Sequence, residues 1–294
     1  MLRALIIVCL LCAFYVWMMR RSVRRDLVGW IVKAGVCIGL TVAASFIGDG
    51  LALRVSYLSP LVLMLLPMVL ARVGERANMT NPAMGVMLAR VASWMHPFGA
   101  FIDRPLVMAG QNAIQRGDWD EANVNFAHLE ERDPRNRHWR ASFSGDDEVV
   151  IATLIDGPRD QSELLALVRS LFRLGRAGEA IDEVLGTGLD IHPITAAFML
   201  ALVGVTSPVD EVQGIVRGAA DLWIGVAEQV DGYPDLARKK LFPLTRLDDA
   251  YLTERALLYL REPWIPRSEW DVSDESVDSY VERLEKIASH GQHS

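Results

Sequence analysis

Residues 1–73 are almost continuously apolar, and that run constrains the fold more than any other feature. A membrane-spanning helix needs about 20 mostly apolar residues, with a range of about 17–25. Segments 2–19, 27–46 and 57–73 each fit, so the run predicts three spanning helices. Everything beyond it is polar enough to fold in water. The charge divides at the same place. Up to Arg72 the chain carries 8 basic and 2 acidic residues, and the remainder carries 22 basic and 35 acidic. An acidic domain repels phosphate backbones, which argues against nucleic-acid binding and favours a protein partner.

The arginines set the expected orientation. Arg20, Arg21, Arg24 and Arg25 follow the first segment, and Arg72 and Arg76 follow the third. The positive-inside rule puts both clusters, and hence the acidic domain, on the cytoplasmic side of an integral membrane protein. The first segment has no small-x-small cleavage pattern before its arginines, so it is expected to remain as an anchor. Lys33 stands inside the second segment, where its long stem can snorkel to the headgroups. Gly35 and Gly39 form a small-xxx-small pair that allows another helix to approach closely. Cys9, Cys12 and Cys37 are the only cysteines and all lie in the apolar run. They are expected to act as small hydrophobes, and the acidic part has neither a disulfide framework nor a thiolate metal site.

Residues 74–104 form a juxtamembrane linker. Within it, Asn81 caps and Pro82 starts a helix over 81–95. Met84, Met87, Leu88, Val91 and Met95 recur there at helical spacing and read as its packing face. From residue 105 to 289 the chain reads as helix, short turn, helix, ahead of a tail at 290–294. In the clearest hairpin, at 106–134, a helix over 105–115 ends at Gly117. Asp118 then caps the next helix, with Glu121 three residues on. Gly110, Gly117, Ala122, Phe126 and Pro134 stand at the offsets of a tetratricopeptide repeat, which this hairpin resembles. Two partial echoes follow, one with Gly175 and Ala180 and one with Gly225, Gly232 and Ala237. Ala122, Ala180 and Ala237 are 58 and 57 residues apart, against about 34 in a regular array. The expectation is therefore an irregular solenoid with intervening helices, among them one over 209–217.

The chemistry-bearing residues are scattered. His96, His128, His138, His192, His290 and His293 share no metal-binding spacing. Arg132, Arg135, Arg137 and Arg140 read as a solvated turn paired with Glu130, Glu131 and Asp133. No nucleophile elbow or phosphate loop occurs in the sequence, so no catalytic, cofactor or metal residue is assigned. The layout, with His96, Pro97, Phe98 and Gly99 at the junction, also resembles the non-catalytic part of bacterial rhomboid-type membrane proteins, without their serine motif. The expected fold is all-α: transmembrane helices followed by a soluble α-hairpin domain. The expected function is a membrane-anchored scaffold that binds a protein partner, with no catalysis. The alternatives are a non-catalytic rhomboid relative or its partner, or an accessory subunit of a transporter.

Overall fold

The computed structural model describes residues 2–22, 27–78, 80–98, 100–158, 160–206, 209 and 217–290. Every regular element among them is helical. The chain divides into two compact units at residues 112 and 113.

The first unit begins with α1 (Leu2–Ser22) and α2 (Leu27–Ser45). Then α3 (Asp49–Pro60) passes through a π turn, Leu61–Leu65, into α4 (Leu66–Asn78). The connection from α2 to α3 is a short turn, and Arg54 is helical. Asp49 sits in the first turn of α3, where a carboxylate favours the positive end of the helix dipole. Among the described residues two helices are long and apolar enough to cross a membrane, Val28–Ser45 and Asp49–Asn78. Within α1 the described apolar stretch is Leu2–Trp17.

Packing in this unit is inverted relative to a water-soluble core. Ala4, Ala44, Ala52, Ser56, Ser59, Thr41 and Ala71 are buried. Leu10, Phe14, Ile31, Val36, Leu58, Leu61 and Val69 are exposed. The α5 helix (Pro82–Met95) carries the pattern furthest. Its cap is as expected, with Asn81 Oδ1 accepting from the Met84 N–H at 3.1 Å. Its predicted packing face is not. Gly85, Ala89 and Ala92 are buried, whereas Met84, Met87 and Val91 face outward and Trp94 is 84% exposed. Small residues let the α4 and α5 backbones approach closely. A Cβ added at Gly74 would stand 3.2 Å from Gly85 O, and one at Gly85 would stand 2.6–2.8 Å from Asn78. Gly35 and Gly39 were the expected close-approach pair, yet a Cβ at either meets no described atom within 4 Å.

The α6 helix (Ala100–Gln115) starts five residues before Pro105, where the helix was predicted to begin, and includes that proline. The second unit then runs through α7 (Trp119–Arg132), α8 (Arg137–Ser144), α9 (Asp147–Leu154), α10 (Gln161–Arg173), α11 (Ala177–Gly186) and α12 (Pro193–Ala201). It continues with α13 (Arg217–Val230), α14 (Pro234–Leu244), α15 (Ala250–Arg261) and α16 (Asp274–His290). The helix expected over 209–217 lies mostly outside the described residues.

Six left-handed glycines are described in this unit; five of them, Gly117, Gly145, Gly175, Gly204 and Gly232, are spaced 28, 30, 29 and 28 residues apart, and the sixth, Gly157, falls outside that series. In all five turns the N–H after the glycine returns to a carbonyl five residues back: Asp118 to Ala113, Asp146 to Ala141, Arg176 to Leu171, Val205 to Leu200 and Tyr233 to Glu228. This closure satisfies carbonyls that a helix end leaves open. The register extends on both sides. Five residues after each glycine stand Ala122, Val150, Ala180, Val209 and Ala237, all buried. Seven residues before each stand Gly110, His138, Val168, Ala197 and Gly225, also buried. The irregular spacing expected from sequence is thus corrected: the turns at Gly145 and Gly204 fall midway between the predicted ones. Gly225 permits close helix approach, since a Cβ there would lie 2.6 Å from Leu241 Cδ2.

Gly232→Ala isolates the backbone term, because no described atom lies within 4 Å of the added Cβ. It is expected to destabilise the unit by about 1–2 kcal/mol, the cost of a left-handed L-residue. Chemical denaturation of wild type and variant checks this.

After α15 the pattern stops. Residues 262–273 hold one short 3-10 turn, Arg267–Glu269, and α16 returns to pack against α11 and α12. Tyr280 Oη donates to Met199 O at 3.0 Å, and Arg283 donates to Leu185 O and Thr187 O at 2.6 and 2.9 Å.

Candidate interaction cleft

Two places in the molecule gather side chains whose arrangement asks for an explanation beyond packing. The first is a cleft of about 490 Å³ in the second unit. The end of α8 supplies Phe143 and Ser144, α7 supplies Trp119, and α15 supplies Tyr251, Glu254, Leu257, Leu258 and Arg261.

Arg255 holds the cleft together. Its guanidinium is buried and donates to Ser142 O and, at 2.8 Å, to Phe143 O. A cation is favoured at a helix C-terminus, where carbonyls lack partners. The same group lies 5.5 Å from the Tyr251 ring. Phe143 forms the floor: it stacks on Phe126 at 5.3 Å and meets Tyr251 edge-on at 5.7 Å. Trp119 Nε1 donates to Glu254 Oε1 at 3.0 Å and fixes one wall. Leu257 remains exposed. An aromatic floor with Glu254 and Arg261 at its rim suits an apolar side chain flanked by polar backbone. Ser144 Oγ donates to Ala141 O at 3.2 Å, a local helix bond rather than a link to a base.

The second place lies in the first unit. The Lys33 ammonium does not snorkel outward as expected. It donates to Leu63 O, inside the π turn, at 2.6 Å and sits 5.0 Å from the Trp30 ring. Trp30 stacks on His96 at 4.1 Å, and Phe101 meets both edge-on. Phe98 packs against Gly29, where a Cβ would approach to 2.6 Å. His96 is fully buried, and neither ring nitrogen has a partner among the described residues. Burial, aided by the Lys33 charge, pushes its pKa from 6.5 down to about 4, so the ring is neutral at physiological pH.

The residues singled out by sequence fall as follows. Gly117, Gly175 and Gly232 close turns at φ 76, 75 and 82°. Asp118 caps α7 by accepting from the Glu121 N–H at 3.0 Å, while the Glu121 carboxylate turns to Arg116 at 2.6 Å. Ala122, Phe126, Ala180 and Ala237 are buried, Gly110 is buried in α6, and Pro134 opens a 3-10 turn. The arginine cluster is dispersed. Arg140 pairs with Glu130 at 2.8 Å as expected, but Arg135 reaches Gly157 O and the buried Glu163 at 2.7 and 3.1 Å. Arg72 and Arg76 are exposed, and Arg20 and Arg21 stand in the last turn of α1. Arg24, Arg25, Gly99 and His293 lie outside the described residues. Among the described residues no three His, Cys, Asp or Glu side chains gather to hold a metal ion.

His138 supplies a pH test. It is buried seven residues before Gly145, with Nδ1 2.7 Å from Arg135 O. Burial pushes its pKa below the ordinary 6.5. The unfolded chain therefore binds the proton more readily, and stability is expected to fall as pH drops below 6.5. The protection of α8 amides, measured against the intrinsic exchange rate at each pH, should fall between pH 7 and 5. His138→Asn, which keeps a donor toward Arg135 O, should flatten that dependence.

No protein-family model matches the chain, and no curated protein or solved structure matches it.

Proposed function

We propose that this chain is a membrane-anchored adaptor whose cytoplasmic helical array binds a segment of a partner protein in the α7–α8–α15 cleft. The observation that carries the reading is the combination of that aromatic cleft with an anchor of inverted packing. In the first unit many large apolar side chains face outward, while the buried positions are mostly small or polar residues around a few large ones such as Trp30 and Met64. A helix bundle in lipid has that pattern, because contact with lipid costs leucine nothing while small residues allow close packing. An exposed apolar belt of this extent would drive a water-soluble protein to associate. The positive-inside rule, applied to Arg72 and Arg76, supports the cytoplasmic side for the array.

The array is read as a compact variant of the tetratricopeptide hairpin, with a period near 29 rather than 34 residues. The shared offsets of its turn glycines and buried small residues support that reading. Stacked hairpins of this kind serve as binding surfaces. Phe143 and Tyr251 would receive an apolar anchor residue, with Arg261 and Glu254 orienting the flanking chain.

A photo-crosslinking residue at Leu257 of the full-length chain tests the proposal in cells. The expected result is one discrete adduct that disappears with Tyr251→Ala and is absent when the crosslinker stands at exposed Arg137. Equal labelling from both positions, or none from Leu257, would count against the cleft.

A further inference from the structure

Helix α14 departs from the charge of its surroundings. The domain beyond Arg72 is strongly acidic, yet Arg238, Lys239, Lys240 and Arg246 stand within nine residues of one another, and two of the chain's four lysines are here. Only Ala237, Leu241 and Leu244 of the helix are buried, packing against the rest of the array. Tyr233, Leu236, Phe242 and Leu247 are all exposed by two fifths or more. Asp235, Arg238, Lys239, Phe242 and Pro243 line one shallow open depression. Their spacing puts them on a single helical face. Lys240 reaches Asp221 at 3.2 Å, and the Arg246 guanidinium lies 4.9 Å from the Phe242 ring.

We propose that this face of α14 docks on the anionic surface of the bilayer that holds the anchor. A helix presenting aromatic and aliphatic side chains beside lysine and arginine suits the headgroup boundary: the rings enter the acyl margin and the cations meet lipid phosphates. The depression is too open to enclose a peptide side chain, which favours a planar partner. The surrounding acidic domain confines the attraction to this face and so sets the array's orientation on the leaflet. Tethering keeps the local lipid concentration high, so a weak patch is enough. The inference rests on the membrane-anchored reading.

The lysines provide the test. The full-length chain is placed in nanodiscs of zwitterionic lipid alone, or with one third phosphatidylglycerol, and brief amine acylation is read by mass spectrometry. Lys239 acylation is expected to slow by roughly fivefold or more in the anionic discs, the scale of one cation's attraction to such a surface. Lys286, on α16, should react equally in both. Phe242→Asp and Arg238→Glu, both at exposed positions, should abolish the difference. Equal Lys239 rates in the two lipids, or protection that appears only when an acidic peptide is added, would overturn the proposal. If the chain does not enter discs at all, the anchored reading has failed. The same labelling with free anionic vesicles then decides the patch: protection supports it, and equal rates overturn it.

Discussion

Tyr280→Ala is expected to remove about 3–5 kcal/mol from the stability of the helical array, the range for truncating a large buried aromatic. Tyr280 is fully buried on the inner side of α16. Its ring meets Phe172 edge-on at 6.0 Å, and Phe172 in turn packs on Trp270 at 5.0 Å. Its hydroxyl donates to Met199 O near the end of α12. Truncation leaves a cavity between α10, α12 and α16 and removes one of the two donors to Met199 O, the Leu202 N–H remaining. Tyr280→Phe keeps the packing and loses only the hydrogen bond, so it should cost about 1 kcal/mol. Denaturation of both variants in detergent separates the two contributions. Limited proteolysis should show the alanine variant cut first in residues 262–273, because α16 then keeps only the packing of Val277, Leu284 and Ala288 and the Arg283 hydrogen bonds.

Gly85→Val is expected to disrupt the first unit, with a cost at or above the upper end of the ~1–3 kcal/mol typical of overpacking. The first atoms its side chain would strike are backbone and Cβ atoms of Asn78, 2.6–2.8 Å from the added Cβ. Backbone in a helix cannot swing aside as a side-chain tip can. The α4 and α5 helices would have to separate, or Asn78 would have to shift and give up its paired amide contacts with Asn112 of α6 at 2.8 and 3.1 Å. The control lies in the same unit. Gly35→Val and Gly39→Val add bulk where no described atom lies within 4 Å and should leave thermal stability in detergent nearly unchanged. A loss at Gly39 as large as at Gly85 would mean that a second chain packs there.

The helical class was legible from periodicity and turn chemistry, and the Gly117 turn was legible in detail because glycine, capping aspartate and buried alanine coincide there. The regular period was not. The residue five after the glycine is alanine at Gly117, Gly175 and Gly232 but valine at Gly145 and Gly204. A search keyed on small residues therefore meets only alternate turns and reads a period of 57–58. Both side chains fill the same buried position, and what recurs is a backbone conformation rather than a residue. The face of α5 was misassigned for a different reason. A 3.6-residue pattern locates an apolar stripe but does not say whether protein or lipid covers it. The small residues Gly85, Ala89 and Ala92 carried the packing signal. The cleft was illegible because Trp119, Phe143 and Tyr251 converge only after more than 100 residues of intervening chain have folded.

The central claim is that the apolar unit resides in a bilayer and presents the helical array to the cytoplasm. A dual reporter fused after Ser294, one half active only in the cytoplasm and the other only outside it, tests this most directly when the fusion is fractionated as well. The account predicts that the full-length fusion stays with membranes through alkaline extraction and that the cytoplasmic half alone is active. Recovery in the soluble fraction, or activity of the external half, would contradict it.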